Sequence, residues 1–159
     1  MTDPPVRYQD SLEGVTADHL RGGFWVGWPT PPTPAMHLAM LRGSEAVVLA
    51  IDPPSGNVVG FVNAIGDGVL AASIPCLEVL PGWQGRGIGT ELLRRILERL
   101  EPRYMVDLVC DEDLVPFYAR LDFRPHRAMI RRDRAAIMTA AGRFGRDDVP
   151  HDPRSKEPR

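Results

Sequence analysis

Apolar positions along this chain form several short runs and one long helical stripe. Glu45 to Asp52, rich in valine and leucine, reads as a strand, and Pro53-Pro54-Ser55-Gly56 turns the chain. Asn57 to Ile65 returns it, Gly66-Asp67-Gly68 reverses it again, and Val69 to Val79 makes the next strand. Asp67-Gly68 is the favoured type I′ pair, so an antiparallel meander is expected. Ile88, Leu92, Leu93, Ile96, Leu97 and Leu100 then recur at helical spacing and predict a helix over Ile88 to Leu100 with one buried face. Glu101-Pro102 ends it. Met105 to Cys110 is a buried strand reached by a crossover, so it should run parallel to the strand before the helix.

Shorter elements flank this centre. A first strand is expected around Val6 to Gln9, and a short helix over Thr16 to Leu20 with Thr16 as N-cap. Phe24-Trp25-Val26-Gly27-Trp28 leads into a proline-rich loop, and a helix follows from Pro34 to Arg42, stopped by Gly43. Asp111-Glu112-Asp113 opens another helix, with carboxylates at its positive end and Pro116 tolerated in the first turn. Phe123 to Ile130 reads as a last strand or pair of strands. Ala135 to Ala141 carries one marginal helical turn or two, within a polar segment over 133–159 that is expected to be a disordered tail.

Composition narrows the classes. The 159 residues suit one domain with a sizeable core, placed here at 1–132. With 19 basic and 21 acidic residues, the formal charge of -2 offers no footprint for nucleic acid. Cys76 and Cys110 sit in apolar runs rather than in ligand spacing, so they read as reduced core residues, and no metal site is expected. The start Met1-Thr2-Asp3-Pro4-Pro5 has no signal-peptide pattern, and no apolar run approaches bilayer length. A cytoplasmic protein with no membrane partner is the expectation.

The stretch with the most chemistry is Leu77-Glu78-Val79-Leu80-Pro81-Gly82-Trp83-Gln84-Gly85-Arg86-Gly87-Ile88-Gly89-Thr90. A strand, a glycine-rich turn and a helix N-terminus together make an anion site, because first-turn N–H groups lack intrahelical partners and the helix dipole favours negative charge there. Arg86 adds a positive charge at the rim. No Gly-Lys-Ser/Thr follows, so this is not a P-loop, and the glycine spacing is wrong for a dinucleotide fingerprint. Gln84-Gly85-Arg86-Gly87-Ile88-Gly89 instead resembles the pyrophosphate loop of the GNAT superfamily of acetyl-CoA-dependent N-acetyltransferases, Gln/Arg-x-x-Gly-x-Gly/Ala. The preceding context of that family, Leu-x-Val-x-Pro-x-x-Gln, is matched by Leu77, Val79, Pro81 and Gln84.

The resemblance implies a mixed α/β fold: a mostly antiparallel central sheet with a splayed parallel strand pair and helices on both faces. The splay, here between Leu77–Val79 and Val106–Cys110, admits the pantetheine arm and is opened by a bulge that the sequence does not reveal. It also implies that the backbone of Leu77 and Val79 binds the pantetheine amides. The amides from Gln84 through Gly85, Arg86, Gly87, Ile88, Gly89 and Thr90 would hold the pyrophosphate of acetyl-CoA.

A second stretch, Phe117-Tyr118-Ala119-Arg120-Leu121-Asp122-Phe123, resembles the family signature Phe-Tyr-x-x-x-Gly-Phe, with Asp122 in place of glycine. By that resemblance Tyr118 is the general acid for the leaving thiolate. The attacking amine must lose a proton, and the candidate bases are Glu78, Asp107, Asp111, His37 and Asp67, with Glu78 and Asp111 placed best. A buried Glu78 would be the stronger base; paired with an arginine it would be structural. The acceptor pocket implied by the family falls on Phe24, Trp25, Trp28, the loop 29–34 and the turn carrying Asp67. Aromatic walls near carboxylates suit a cationic amine, although the tryptophans could equally fill core. The expected reaction is acetyl transfer to a primary amine of a small molecule by direct attack. A protein lysine or N-terminal amine, or a non-catalytic acyl-CoA-binding module, stays open. A homodimer would involve Met129, Ile130 or the tail.

Overall fold

The computed structural model describes residues 5–144. One five-stranded sheet in the order β1-β2-β3-β4-β5 forms its centre, from β1 (Arg7–Gln9), β2 (Ala46–Ile51), β3 (Val58–Gly66), β4 (Ala71–Val79) and β5 (Met105–Asp107). Neighbours β1 to β4 are antiparallel, and β4 and β5 are parallel. The helices are α1 (Pro34–Arg42), α2 (Ile88–Leu100), α3 (Val115–Ala119) and α4 (Ala136–Phe144). The expected short helix after Thr16 is a 3-10 turn over Ala17–Leu20.

Antiparallel partners share a face, so the register assigns each side chain to a layer. Gly60 pairs with Val79 and Val62 with Leu77, on the face covered by α2. Phe61 pairs with Glu78 and Asn63 with Cys76, on the face where His37 of α1 meets Phe61, ring centroids 4.3 Å apart. Burial of Leu92, Leu93 and Ile96 on one side, and of Leu49, Phe61 and Leu41 on the other, supplies the main stabilising term. Each helix starts and stops for a local reason. Thr33 Oγ1 accepts from the Met36 N–H at 3.2 Å with Pro34 in the first turn, and Gly43 closes α1. Gly87, in left-handed conformation at φ +78°, opens α2.

The expected bulge lies in β4. Between Asn63↔Cys76 and Ile65↔Ser73, β3 advances two residues while β4 advances three, so the extra residue falls at Ile74-Pro75. Pro75 has no N–H to give to a ladder. Pairing of β4 with β5 covers only Ala71–Ser73 against Met105–Asp107, and Ser73 Oγ donates to Asp107 Oδ1 at 2.7 Å where it ends. Beyond that point β4 runs on to Val79 while Leu108–Cys110 leave the sheet.

Four expectations change. Asp67-Gly68 is not a two-residue type I′ turn. The last pair is Gly66↔Ala72, Asp67 does not adopt positive φ, and its Oδ1 accepts from the Val69, Leu70 and Ala71 amides at 2.7, 2.7 and 3.2 Å. Residues 123–130 do not form a strand; Pro125 interrupts their donor row, and Met129 and Ile130 are exposed. The strand expected over Met105–Cys110 is ladder only to Asp107. The marginal turn or two expected over Ala135–Ala141 is a nine-residue helix, Ala136–Phe144, that runs into the segment expected to be disordered and packs on α1, with Ala141 buried. The rest of that tail lies outside the described residues.

Two predictions follow from the packing. A Cβ on Gly60 would sit 3.1 Å from Leu92 Cδ1, 3.3 Å from the Glu78 carbonyl oxygen and 3.4 Å from Ile88 Cγ2. Gly60→Ala should therefore push α2 off the sheet and cost about 1–3 kcal/mol, measured by urea denaturation. The His37 ring is 1% exposed, and burial lowers its pKa from the ordinary 6.5 to about 4. The unfolded chain then binds a proton that the fold excludes. Stability is whole above pH 6.5 and falls by about 3 kcal/mol as pH drops to 4. His37→Leu should remove that part of the acid sensitivity in thermal melts.

Candidate active site

The open end of the splay is built by β4, the loop after it and α2. Leu80 N–H donates to the Val59 carbonyl at 2.9 Å, so Leu80 and, by alternation, Glu78 direct their backbone polar groups toward β3. Those of Leu77 and Val79 point the other way, into the splay. Cys76 to Val79 are accordingly half-buried, whereas the interior strands are closed on both faces. Gln84 Nε2 donates to the Val79 carbonyl at 2.9 Å, so this side chain braces the strand end and is not aimed at an anion.

The loop places bare N–H groups at the mouth. The first i→i−4 bond of α2 runs from the Glu91 N–H to the Gly87 carbonyl at 3.0 Å, leaving the Ile88, Gly89 and Thr90 amides outside the helical ladder. Gly85 and Gly87 have φ of +75° and +78°, which side chains rarely adopt. Gly89 has no such φ, and a Cβ there would meet Phe117 Cζ at 3.6 Å, an ordinary van der Waals contact. Glu91 puts a negative charge in the first turn, but Arg94 and Arg95 bind it at 2.8 and 2.6 Å and hold its carboxyl down to about 2. Arg86 lies over the Trp83 ring, 5.0 Å from its centroid, and donates to the Gly82 carbonyl.

Tyr118 comes from α3, which begins where the chain leaves β5. Its ring packs edge-on against Phe117 at 4.9 Å and Phe123 at 5.9 Å. Burial raises its phenol to about 12, and the neighbouring Cys110, in the segment that follows β5, and Cys76 of β4 add to the shift. At neutral pH the hydroxyl keeps its proton and is a hydrogen-bond donor. Asp122 adopts φ +66°, so it fills the left-handed turn position of the glycine it replaces.

Glu78 is half-buried on the α1 face. Burial raises its pKa, and the Trp25 and Val26 amides, which donate to it, oppose that shift. Its partners are thus backbone N–H groups, not an arginine. Burial and Glu78 together push the Cys76 thiol up to about 11, which leaves almost no thiolate at neutral pH.

The structure brings together Leu77, Glu78, Val79, Tyr118, Trp25 and the 84–90 loop, and it separates others. Asp67 is committed to its own turn at the far end of β4, about 23 Å along the strand from Glu78, so it is not an acceptor ligand. Asp111 is exposed just beyond β5, and its side chain caps no helix amide. Asp107 is tied to Ser73 at the closed end. Trp25 is 6% exposed and belongs to the core, while Trp28 is 51% exposed, their rings 5.2 Å apart. Sequence reasoning missed the strain at Trp25, whose φ is +70°. Only its glycine neighbours, Gly23 and Gly27, hinted at it. Among the described residues no helix is long and apolar enough to cross a membrane.

Residues 14–123 match the model of the acetyltransferase (GNAT) family. A crystal structure from Deinococcus radiodurans R1, provisionally assigned as an acetyltransferase, is 50% identical with a TM-score of 0.78, covering 83% of this chain and 91% of that one. GCN5-related N-acetyltransferase 3, chloroplastic, of Arabidopsis thaliana is 39% identical over 79 residues, 48% of this chain and 33% of that protein. An uncharacterised N-acetyltransferase, ycf52, of Pyropia yezoensis is 28% identical over 102 residues, 62% of this chain and 58% of that protein. The chain thus spans less than two thirds of the length of these two curated relatives. Backbone groups aimed into a splay, free amides at the N-terminus of α2, a buried and protonated Tyr118 and the family match lead to one conclusion: the chain belongs to the GNAT acetyltransferase family.

Proposed function

We propose that this protein transfers an acetyl group from acetyl-CoA to the primary amine of a small molecule, by direct attack within a ternary complex. One observation supports the reading: the buried Tyr118 phenol is held in its protonated form near Cys76 of β4 and Cys110 beyond β5, on a fold that leaves the first amides of α2 outside the helical ladder. Pantetheine would extend β4 as a partial strand on Leu77 and Val79, and the pyrophosphate would meet the amides of residues 85–90, where the helix dipole adds attraction.

The chemistry orders itself by acidity. An ordinary thiol near 8.5 is a stronger acid than a phenol at about 12, so Tyr118 alone would give up its proton to a thiolate uphill. Its part is to donate a hydrogen bond to the departing sulfur and to pass on a proton as the attacking nitrogen releases one. The first proton of the ammonium goes to a carboxylate. Glu78 is our choice over Asp111, because it lies between Leu77 and Val79 and is raised by burial, whereas Asp111 is exposed. A covalent acetyl-cysteine route is disfavoured by the protonated state of Cys76. The exposed ring of Trp28, edge-on to the buried Trp25 at 5.2 Å, supports a small acceptor with an apolar body.

Calorimetric titration with acetyl-CoA is expected to give saturable binding that Gly87→Asp weakens about tenfold or more, through a carboxylate set against the pyrophosphate. Gly87→Asn, neutral and tolerant of the left-handed backbone, should keep most of it. No binding to the unaltered protein would overturn the reading. Thiol release across a panel of primary amines should fall about a hundredfold or more in Tyr118→Phe with acetyl-CoA affinity unchanged. Unchanged turnover would remove Tyr118 from the chemistry.

A further inference from the structure

The chain between the first 3-10 turn and α1 crosses the α1 face of the sheet through Phe24-Trp25-Val26-Gly27-Trp28, and this crossing is fastened to Glu78. The Trp25 N–H donates to both carboxylate oxygens, at 2.8 and 3.0 Å, and the Val26 N–H donates to Oε1 at 3.3 Å. Neither amide belongs to a helix or strand. The crossing is flanked by two glycines with positive φ, Gly23 at +92° and Gly27 at +83°, around which a Cβ would meet nothing within 4 Å. They are open joints on either side of a bulky residue held in the left-handed region at +70°, a conformation that persists only when something outside the segment imposes it. The Glu78 carboxylate is that something.

Beneath the crossing lies a polar group with no partner. His37 is 1% exposed, and neither ring nitrogen has a hydrogen-bond partner within the protein. Its ring touches Trp25 at 4.9 Å, Phe24 at 5.3 Å and Phe61 at 4.3 Å, so the two aromatic side chains of the crossing seal it from the cleft. Burying an imidazole with no protein partner is unfavourable, and so is the backbone of Trp25. Both penalties belong to the closed arrangement, and both are relieved if the crossing lifts. Two terms oppose lifting: the burial of the Phe24 and Trp25 rings against Phe61, and a charged carboxylate accepting from two amides, charge-assisted bonds of this kind being about twice as strong as neutral ones.

We propose that residues 24–28 form a lid over the acceptor side of the cleft, that the charge of Glu78 latches it shut, and that a proton on Glu78 releases it and opens His37 to the cleft. The proton source rests on the acetyl-transfer reading. The acceptor ammonium gives an N–H proton to a Glu78 oxygen, the nitrogen keeps the electron pair for attack, and the carboxylate becomes a neutral carboxyl. That carboxyl has lost the charge that held the Trp25 and Val26 amides. The lid is therefore loosest just after the amine has been activated, and it closes again when Glu78 returns its proton to water. Glu78 serves the lid as a positioning residue in addition to any role as base.

Hydrogen exchange on the full chain, without acetyl-CoA or amine, tests the latch separately from acetyl transfer. Glu78→Gln keeps the size and one carbonyl oxygen and mimics the neutral state. The Trp25 and Val26 amides are expected to exchange at least tenfold faster in this variant, while those of β3 and α2 stay as protected as before. Mapping of diethyl pyrocarbonate adducts should find His37 unreactive in the native protein and modified in Glu78→Gln. Glu78→Asp, which keeps the charge on a shorter arm, should exchange at a rate between the two. Unchanged protection at Trp25 and Val26 overturns the latch. So does equally faster exchange throughout the sheet, which would make Glu78 a residue of the fold as a whole.

Discussion

One additional residue in β4 conditions the rest of the molecule. At Ile74-Pro75 the strand takes three steps while β3 takes two, and proline cannot donate to the ladder there. β4 bends, its parallel pairing with β5 ends after Ser73 and Asp107, and the edge from Cys76 to Val79 is left without a neighbouring strand. Unpaired strand edges are usually covered or charged. This one is left open inside the fold, with the backbone groups of Leu77 and Val79 turned into the gap.

The two-residue period of β4 then divides labour between the sheet faces. Leu77 and Val79 lie on the side of α2, where Gly60 lets that helix approach closely enough to present its first amides to the gap. Cys76 and Glu78 lie on the side of α1 and the aromatic crossing. A bound acyl carrier and an acceptor amine would meet across one strand, each with its own layer of supporting structure. The arrangement follows from alternation alone, so a slip of one residue in register would exchange the two sets.

Burial decides what the ionisable groups at this place can do. Tyr118 keeps its proton because its surroundings exclude the charged form, and Cys76 is kept from acting as a nucleophile for the same reason. Glu78 is the balanced case, raised by burial and restrained by two backbone donors. His37, with neither nitrogen partnered, is the costly one. Such groups store unfavourable energy that a change in the lid can release.

Much of this was legible in the chain. The period of Ile88 to Leu100, bounded by glycine and by Glu101-Pro102, set the bounds of α2, and the run Leu77 to Gly89 carried both the strand and the glycine-rich turn, because propensity, glycine geometry and periodicity are local. What stayed hidden depended on distant partners. An apolar run does not show where a bulge falls, since one extra residue changes pairing and not composition. Whether Trp25 or Trp28 was core was settled by packing on Phe61 and His37. Asp67, eligible by type for the site, is drawn into its own turn by three amides, and the marginal turns expected over Ala135–Ala141 extend to Phe144 where α1 offers Ala141 a surface. The link between Glu78 and Trp25 spans 53 positions of sequence, and only the folded sheet brings that carboxylate beneath that loop.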